Sequence, residues 1–241
     1  MSLNGKLVLI TGAARRIGRF LALTAVQAGA DVVIHYGNSR SEAESAQAEI
    51  ETLGRKVYLL QAELTDADQV ASLISRAREF GPLYALVNSA AIFEPLTWDN
   101  TSLDDWNHHL MVNLTVPFLL SQAFARQPDP LKNRRIVNLL DWRAQRPGPD
   151  HLPYTISKAA LVALTRSLAI ALAPQVTVNG LSLGAVLPPT DGVTNAGILD
   201  QIPAHRWADM KEVGETMLFL LDGPTYITGE IIHVDGGRHL V

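Results

Sequence analysis

A tyrosine and a lysine stand four residues apart in the stretch YTISK, as Tyr154 and Lys158. On a helix, this spacing places the two side chains next to each other on one face. A neighbouring ammonium group favours the phenolate and lowers the tyrosine pKa from its ordinary value near ~10, so the phenol becomes a usable acid near neutral pH. The pair therefore predicts proton transfer to a substrate, although such a spacing also arises by chance.

A second candidate site is the stretch LITGAARRIGRF at residues 9–20. Gly12 and Gly18 fit a phosphate-binding turn of the form T-G-x-x-x-G-x-G, but Arg16 occupies the position of the middle glycine. At the start of a helix, backbone N–H groups and the helix dipole attract a pyrophosphate. The turn predicts a dinucleotide site; the alternative is an ordinary tight turn between a strand and a helix.

The end of the second predicted strand indicates which dinucleotide binds. An NAD site usually has an acidic residue there, about 20 residues after the glycines, for the ribose hydroxyls. This chain instead reads HYGNSR, with Arg15 and Arg16 in the preceding turn and no acid before Glu42. These groups suit a 2′-phosphate, because arginine can bind phosphate oxygens through two N–H groups. The sequence predicts NADPH, the alternative being a basic solvated loop. The candidate residues of this stretch are Tyr36, Asn38, Ser39 and Arg40.

These candidate residues require a framework of alternating strands and helices. Short apolar runs predict strands at residues 7–10, 32–35, 57–60, 85–88, 136–140, 176–181 and 231–234. Helical spacing predicts helices at residues 16–29, 41–53, 66–78, 103–126, 157–173 and 211–221. The alternation is typical of a single doubly wound α/β (Rossmann) domain, residues 1–241, with a seven-stranded, mostly parallel sheet and helices on both faces. The proline-containing segment 184–207 follows a strand end and is a candidate substrate lid.

Composition and charge exclude several classes of function. A formal charge of −4 over 241 residues argues against nucleic acid or an anionic membrane as the main partner. Residues 159–173 include Thr165 and Arg166 and are expected to be too short and too polar to span a bilayer. Without cysteine or a targeting segment, we expect a cytoplasmic location. His108 and His109 lack an acid at ligand spacing, so no metal site is predicted.

Taken together, the motifs resemble those of the short-chain dehydrogenase/reductase family. They are the glycine turn, VNSAA at residues 87–91, Asn113, the Tyr154–Lys158 pair and ITGEIIHVDGG at residues 227–237. They span essentially the whole chain in the family's order. The resemblance implies that Tyr154 is the catalytic acid and that Lys158 binds the nicotinamide ribose and tunes the tyrosine. It also implies that Asn113 holds a water that completes a proton relay.

The resemblance also assigns residues to the cofactor. They are Gly12, Arg15, Arg16, Ile17 and Gly18 in the glycine turn, Glu63 and Leu64 near the adenine, Asn88, Ser89 and Ala90 beside the central strand, and Gly184 and Ala185 near the nicotinamide. Two positions depart from the family pattern. Ser89 replaces a second asparagine, and Leu183 replaces the usual proline.

Asp141 is the departure with the greatest chemical consequence, because the family has a serine at this place before the tyrosine. A serine donates a hydrogen bond to a ketone oxygen. An ionised carboxylate only accepts hydrogen bonds, repels a developing oxyanion and raises the tyrosine pKa. Either the chain is an inactive relative, or a protonated Asp141 delivers a proton to nitrogen in a different substrate.

Arg16, the stretch at residues 35–39 and Asp141 resemble the pteridine reductase branch of the family. The C-terminal DGGRHL resembles the bacterial dihydromonapterin and dihydrofolate reductases of that branch. The resemblance implies hydride transfer from NADPH to a C=N carbon of a dihydropterin-like ring, with Asp141 protonating the ring nitrogen. Phe93 would stack on the ring, and Arg16 would lie between pyrophosphate and substrate. Trp142 would line the pocket, the alternative being a surface loop.

Three hypotheses about function remain open at this point. The first is reduction of a small-molecule pteridine. The second is reduction of a carbonyl, as by 3-oxoacyl-acyl-carrier-protein reductases, against which Asp141 and Arg16 count. The third is a non-enzymatic NADPH-binding sensor, which would not need the Tyr154–Lys158 pair. The family pairs the helices at residues 114–124 and 159–173 between subunits, so the resemblance also implies a homotetramer.

Overall fold

The computed structural model describes residues 2–128, 131–187 and 197–241, and its centre is a seven-stranded parallel sheet in the order β3–β2–β1–β4–β5–β6–β7. The strands are β1 (Leu7–Ile10), β2 (Asp31–Tyr36), β3 (Val57–Gln61), β4 (Leu83–Asn88), β5 (Arg134–Asp141), β6 (Val176–Leu183) and β7 (Ile231–Val234). The helices are α1 (Arg16–Gln27), α2 (Arg40–Glu51), α3 (Ala67–Arg78), α4 (Leu103–Leu110), α5 (Val116–Arg126), α6 (Leu152–Leu172) and α7 (Met210–Asp222). The predicted doubly wound fold is confirmed.

The strands are continuously apolar because both faces of the sheet are covered. In β1, Val8 and Ile10 point into one core cluster, which includes residues of α1 and α7. Leu7 and Leu9 point into the opposite cluster, which includes residues of α3 and α5. The sheet is therefore held between two apolar layers, and its polar side chains concentrate at the strand ends.

Several predicted boundaries require correction. β5 runs on to Asp141, so the candidate acid is the last residue of a strand. α6 begins at Leu152 and not at residue 157, because Pro153 in its first turn is favourable for helix initiation. The predicted helix at 103–126 is two helices joined by a π-helical segment, Met111–Thr115. Pro117 at the start of α5 lacks the N–H group that a continuous helix would need.

The length of α6 also corrects the expectation that this stretch is too short to span a bilayer. Its 21 residues are long and apolar enough, by length and composition alone, to cross one. It is nevertheless a core helix of this fold, because it packs against β5 and β6. Its buried residues include Tyr154, Lys158 and Thr165.

The predicted lid, residues 184–207, lies partly outside the described residues, which omit 188–196. Its described second half contains a 3₁₀ turn, Leu199–Gln201. At its base, the Ala208 N–H donates a hydrogen bond to the Ala185 carbonyl at 2.9 Å. The start of the segment is thereby joined to the residues just before α7.

Candidate active site

The chain order of the strands reverses between β1 and β4, and ligands of such sheets bind in the crevice at this point, beyond the carboxyl ends of the strands. The glycine turn lies here. Gly12 has φ +64, and a Cβ on it would meet Ala90 Cα at 2.9 Å. A side chain at Gly12 would therefore displace the chain after β4, which explains the need for glycine.

Thr11 and His35 hold this turn in place. The Thr11 Oγ1 accepts hydrogen bonds from the Ser89 and Ala90 N–H groups, each at 3.0 Å. The Gly12 N–H donates to His35 Nδ1 at 3.2 Å, and His35 Nε2 donates to the Ala62 carbonyl at 3.1 Å. Burial lowers the pKa of His35 to about 4, so its ring stays neutral and joins the ends of β1, β2 and β3.

The sequence analysis did not assign this role to His35. A polar residue inside an otherwise apolar strand was the available signal. The histidine keeps one nitrogen as an acceptor and the other as a donor, which a permanently charged side chain at this position cannot do.

The phosphate side of the crevice is electropositive. Among the described residues, no side chain caps the N-terminus of α1, and its first turn has no acid. Arg15 and Arg16 are both exposed there. Arg16 has φ +52, a left-handed conformation that disfavours any residue with a side chain. This backbone conformation explains why a glycine is expected at this position. Because an arginine is strained there, we expect its guanidinium group to have a function.

The end of β2 presents the residues predicted for the 2′-phosphate. Tyr36 is buried, Asn38 is exposed, and Ser39 immediately precedes α2. The Arg40 Nε donates to Glu44 Oε1 at 2.8 Å, within the same helix. Arg40 is therefore partly neutralised, whereas Arg15 and Arg16 form no ion pair with any residue that the structure describes.

The remaining predicted cofactor residues lie at the carboxyl ends of β3 and β6. Leu64 is buried, and Glu63 accepts hydrogen bonds from the Thr65 hydroxyl and N–H. The Gly184 N–H donates to the Val234 carbonyl at 3.0 Å. A Cβ on Gly184 would meet Asp235 Cα at 2.6 Å, so this turn also requires glycine.

Asn88 begins a buried chain of polar side chains. Its Nδ2 donates to Asn138 Oδ1 at 2.8 Å, and Asn138 Nδ2 donates to Thr165 Oγ1 at 2.9 Å. The Asn88 Oδ1 is buried without a hydrogen-bond partner among the described residues, and such a group usually belongs to a water or a ligand. The chain ties β4 and β5 to α6, and sequence analysis missed the contribution of Asn138.

The predicted acid and the predicted tyrosine are in contact. The Tyr154 hydroxyl donates to Asp141 Oδ2 at 3.0 Å, and the Arg143 N–H donates to Asp141 Oδ1 at 2.8 Å. Burial raises the pKa of Asp141. Burial, and then the Asp141 charge, raise the pKa of Tyr154 well above its ordinary value. The expectation that Lys158 lowers this pKa is wrong.

Lys158 is buried and directed elsewhere. Its Nζ donates to the Leu139 carbonyl at 2.7 Å and lies 5.7 Å from the centre of the Tyr154 ring. Burial lowers the pKa of Lys158 to about 8, although the Asp141 charge acts in the opposite direction. Its contact with the nicotinamide ribose stays a prediction.

Asn113 lies in the π-helical segment between α4 and α5. Its Oδ1 accepts from the Ile92 N–H at 2.9 Å, and its Nδ2 donates to the Ile92 carbonyl at 3.0 Å and to the Ser157 hydroxyl at 3.1 Å. The side chain therefore fixes the loop before Phe93 to α6. The water that it is predicted to hold stays a prediction.

Phe93 lies beside the acid pair. Its ring stacks on His151, with centroids 3.9 Å apart and planes at 11°, and meets the Tyr154 ring edge-on at 4.6 Å. The His151 Nδ1 lies 2.9 Å from Asp150 Oδ2, which in turn accepts from Arg143. One continuous series of contacts joins the aromatic ring to the loop after Asp141.

An ion pair between Arg143 and Asp150 joins two parts of the loop that follows Asp141. The guanidinium donates to both oxygens of the carboxylate, at 2.7 and 2.9 Å, and holds the pKa of Asp150 down at about 2. Sequence analysis did not single out Asp150 or His151. The available signal was an acid and a histidine just before the tyrosine, but in a loop such residues usually only face solvent.

Trp142 is half-buried beneath a cation. The guanidinium carbon of Arg238 lies 3.9 Å from its ring centre, and Trp142 lines a cavity of about 590 Å³. Trp142 therefore forms part of a concave surface next to Asp141. The sequence did not indicate a role for Arg238, because Arg238 comes close to Trp142 only when the chain folds.

The crevice fits a dinucleotide. It combines a glycine turn, an uncapped helix N-terminus with two arginines, and an unpartnered buried amide oxygen. Together with the tyrosine, lysine and aspartate beside it, this defines a nucleotide-dependent oxidoreductase.

Comparisons with known proteins agree with this class. A family model described as "Enoyl-(Acyl carrier protein) reductase" matches residues 12–239. The chain is 33% identical to a 3-oxoacyl-[acyl-carrier-protein] reductase from Synechocystis over 98% of each chain. It is 34% identical to 3-oxoacyl-[acyl-carrier-protein] reductase FabG from Escherichia coli over 100% of each. The chain belongs to the short-chain dehydrogenase/reductase family.

Comparison with solved structures also indicates the short-chain dehydrogenase/reductase family. FolM alternative dihydrofolate reductase 1 from Brucella canis, complexed with NADP, is 32% identical, with a TM-score of 0.92 over 100% of this chain and 97% of that one. A short-chain dehydrogenase from Burkholderia cenocepacia, in complex with NADP, is 34% identical, with a TM-score of 0.92 over 99% of each. The predicted family, oxidoreductase activity and NADP cofactor are confirmed.

Proposed function

We propose that this protein reduces a C=N bond of a pteridine ring with NADPH. The observation that carries the proposal is the hydrogen bond from the Tyr154 hydroxyl to Asp141, together with the burial that raises the Asp141 pKa. Burial favours the protonated form of Asp141, which is the form that can donate a proton. A ring nitrogen is a suitable acceptor, because it becomes an N–H group when the adjacent carbon is reduced.

Bound NADPH would supply the hydride for the carbon, and Asp141 would supply a proton to the nitrogen, so that C=N would become CH–NH. Asp141 then recovers a proton through Tyr154, whose hydroxyl is in contact with it. Lys158, with its pKa lowered to about 8, would supply the proton from behind the tyrosine through a water held by Asn113.

The walls of the site support a flat substrate. Phe93 lies beside Tyr154, yet 53% of its surface is exposed. A flat substrate ring therefore has room to approach the Phe93 side chain. Offset stacking on such a ring contributes roughly 0.5–1.5 kcal/mol beyond burial. Arg16 lies at the start of α1 and offers donors toward a pterin carbonyl. The similarity to a protein described as an alternative dihydrofolate reductase supports the same substrate class.

A second candidate is reduction of a 3-oxoacyl thioester, which the curated relatives favour. Its product oxygen carries negative charge in the transition state. The family's serine donates to that charge and stays neutral, whereas Asp141 becomes a carboxylate beside the oxygen once it gives up its proton, and a carboxylate repels an oxyanion. The aspartate therefore favours the pteridine.

The test is NADPH oxidation by the purified protein with dihydrobiopterin, dihydromonapterin and acetoacetyl thioester, in the wild type and in Asp141→Ser. We expect pterin turnover that the substitution abolishes. Asp68→Ser, an exposed aspartate in the first turn of α3, is the matched control and should keep wild-type turnover. Thioester turnover that persists or improves in Asp141→Ser would contradict the proposal and return the protein to the carbonyl reductases.

We also infer a cytoplasmic homotetramer of single-domain subunits. Exposed apolar side chains on the helices that the family pairs support the assembly: Phe118 on α5 is 38% exposed and Ile170 on α6 is 83% exposed. Light scattering at several protein concentrations measures the assembly directly. A monomer throughout would contradict this inference.

A further inference from the structure

A cavity of about 590 Å³ adjoins the proposed pteridine site. One of its walls is Trp142, the residue directly after Asp141. Two arginines, Arg146 and Arg238, also line it. A substrate whose ring reacts at Asp141 therefore has space beside Trp142 for a substituent.

Arg238 is the unusual member of this wall. Only 8% of its surface is exposed, and its guanidinium stacks on the Trp142 ring at 3.9 Å. Among the described residues, its side chain has one hydrogen bond, a long contact of 3.5 Å with Gln201 Oε1. Within the same ranges it forms no ion pair, although the charges of Asp141, Asp150 and Asp235 act on it without direct contact. A largely buried cation without an acidic group in contact is costly, and a bound anion would remove much of that cost.

The second cavity of the described chain, about 350 Å³ in volume, shows the contrasting arrangement. Its arginine, Arg206, is exposed and already donates to both oxygens of Glu212, at 2.8 and 2.6 Å. In the cavity beside Trp142, the acidic side chain in the described lining is Asp200, which is exposed and forms no ion pair with either arginine. Of these two cavities in the described part of the chain, the one beside Trp142 leaves arginine donors for a ligand.

We propose that the cavity beside Trp142 binds an anionic tail, a carboxylate or a phosphate, of the substrate. Arg238 and Arg146 provide the charge, and the Trp142 ring provides an apolar wall for the segment between the reacting ring and the anion. This inference rests on the proposed function for the position of the reacting ring. Guanidinium groups suit both anions, because they donate in pairs to planar carboxylates and to phosphates.

The experiment compares ligands that differ only in the charge of the tail. Isothermal titration of the NADP⁺-saturated protein measures the Kd of folate, with two tail carboxylates, and of its neutral dimethyl ester. We expect folate to bind about 10- to 100-fold more tightly, the range for charge-assisted hydrogen bonds. Arg238→Gln should abolish the difference and leave binding of the ester unchanged. Arg206→Gln, the paired arginine, is the matched control and should preserve the difference.

A second pair of ligands tests whether the cavity binds a phosphate. It also keeps the anion site testable if the proposed reduction of a pteridine is wrong. Acetoacetyl-coenzyme A carries phosphates, and acetoacetyl-N-acetylcysteamine has the same reacting group without them. Discrimination within this pair alone, lost in Arg238→Gln, supports the anion site while rejecting the pteridine. Equal Kd values within both pairs, or binding of none of the four, overturns the inference. If Arg238→Gln fails to fold, the exposed Arg146→Gln serves instead, with a smaller loss of discrimination.

Discussion

The two ends of the active site are held in different ways. At the cofactor end, the Gly12 turn is fixed by the Thr11 hydroxyl and by a neutral His35, both bonded to main-chain groups. At the substrate end, the loop after Asp141 is fixed by charged side chains, above all the Arg143–Asp150 pair. The geometry of the cofactor end depends on main-chain hydrogen bonds. The geometry of the substrate end depends on which side chains carry charge.

This difference predicts how each end responds to change. Main-chain hydrogen bonds survive most substitutions nearby, so the cofactor end tolerates variation outside its glycines and its two anchors. The substrate end can acquire new chemistry by single substitutions, and we propose that Asp141 in place of the family's serine is an example. Variants should therefore separate the two ends: some change binding and turnover of the substrate only, and others change the stability of the fold.

The largest expected effect is at the substrate end. Tyr154→Phe removes the hydroxyl that donates to Asp141 and interrupts its proton supply. We expect kcat for the pterin to fall about 10²- to 10⁴-fold, the range for general acid catalysis, with the Kd of NADPH unchanged. Steady-state kinetics and fluorescence titration of NADPH measure the two quantities.

Tyr226→Phe is the control for this variant, because Tyr226 is fully exposed at 100% and removal of its hydroxyl affects no buried contact. It should retain the kcat of the wild type. A Tyr154→Phe enzyme that keeps kcat would show that Asp141 draws its proton from elsewhere. A parallel loss of NADPH affinity would show that the two ends are not independent.

The next largest effect concerns stability at the cofactor end. Burial lowers the pKa of His35 to about 4 from 6.5, so the unfolded chain takes up a proton more readily than the folded one as the pH falls through this range. The contribution to stability is complete above pH 6.5 and is lost toward pH 4. The loss amounts to about 3 kcal/mol. In His35→Gln this part of the pH dependence should be absent.

Urea denaturation across this pH range measures the free energy of unfolding for both proteins. His108→Gln, an exposed histidine in α4, is the matched control and should keep the wild-type slope. An unchanged slope in His35→Gln would contradict the account of His35 as a buried neutral anchor.

A smaller effect should follow from Asp150→Asn, which weakens the contacts of Arg143 and His151. His151 stacks on Phe93, so we expect the KM for the pterin to rise about tenfold through misplacement of that ring. The carboxylate is 45% exposed, so stability should fall by less than about 1 kcal/mol. The KM for NADPH should not change. Equal increases in both KM values would show that this loop also supports the cofactor.

The difference between the two ends also explains which parts of the site can be predicted from the sequence. Gly12, Tyr154 and Lys158 were predictable because local spacing determines their geometry. The doubly wound, mostly parallel sheet followed from the alternation of strands and helices. The Arg238–Trp142 stack was not predictable, since those residues meet only in the folded chain.

Local pattern also failed where several forces compete. The spacing of Tyr154 and Lys158 predicted a lowered tyrosine pKa, but burial and the Asp141 charge raise it. The extent of desolvation depends on packing from several elements and is not present in a five-residue motif. Asp150 and His151 carried no signal that distinguishes a fixed loop from a solvated one.

The smallest predicted effect tests both ends at once, because Arg16 belongs to the cofactor turn and is also proposed to contact the substrate. Arg16→Gly removes the strain of a side chain at φ +52 and should raise the free energy of unfolding by up to about 1 kcal/mol, less the extra freedom of glycine in the unfolded chain. The same change removes a guanidinium, so kcat/KM for the pterin should fall. Arg15→Gly is the matched control, because Arg15 is extended at φ −149 and glycine there relieves no strain. Urea denaturation and steady-state kinetics of both variants give the answer. Greater stability with lower activity would show that Arg16 is kept for its side chain and not for the turn; an Arg16→Gly protein with wild-type kinetics would assign the residue to neither ligand.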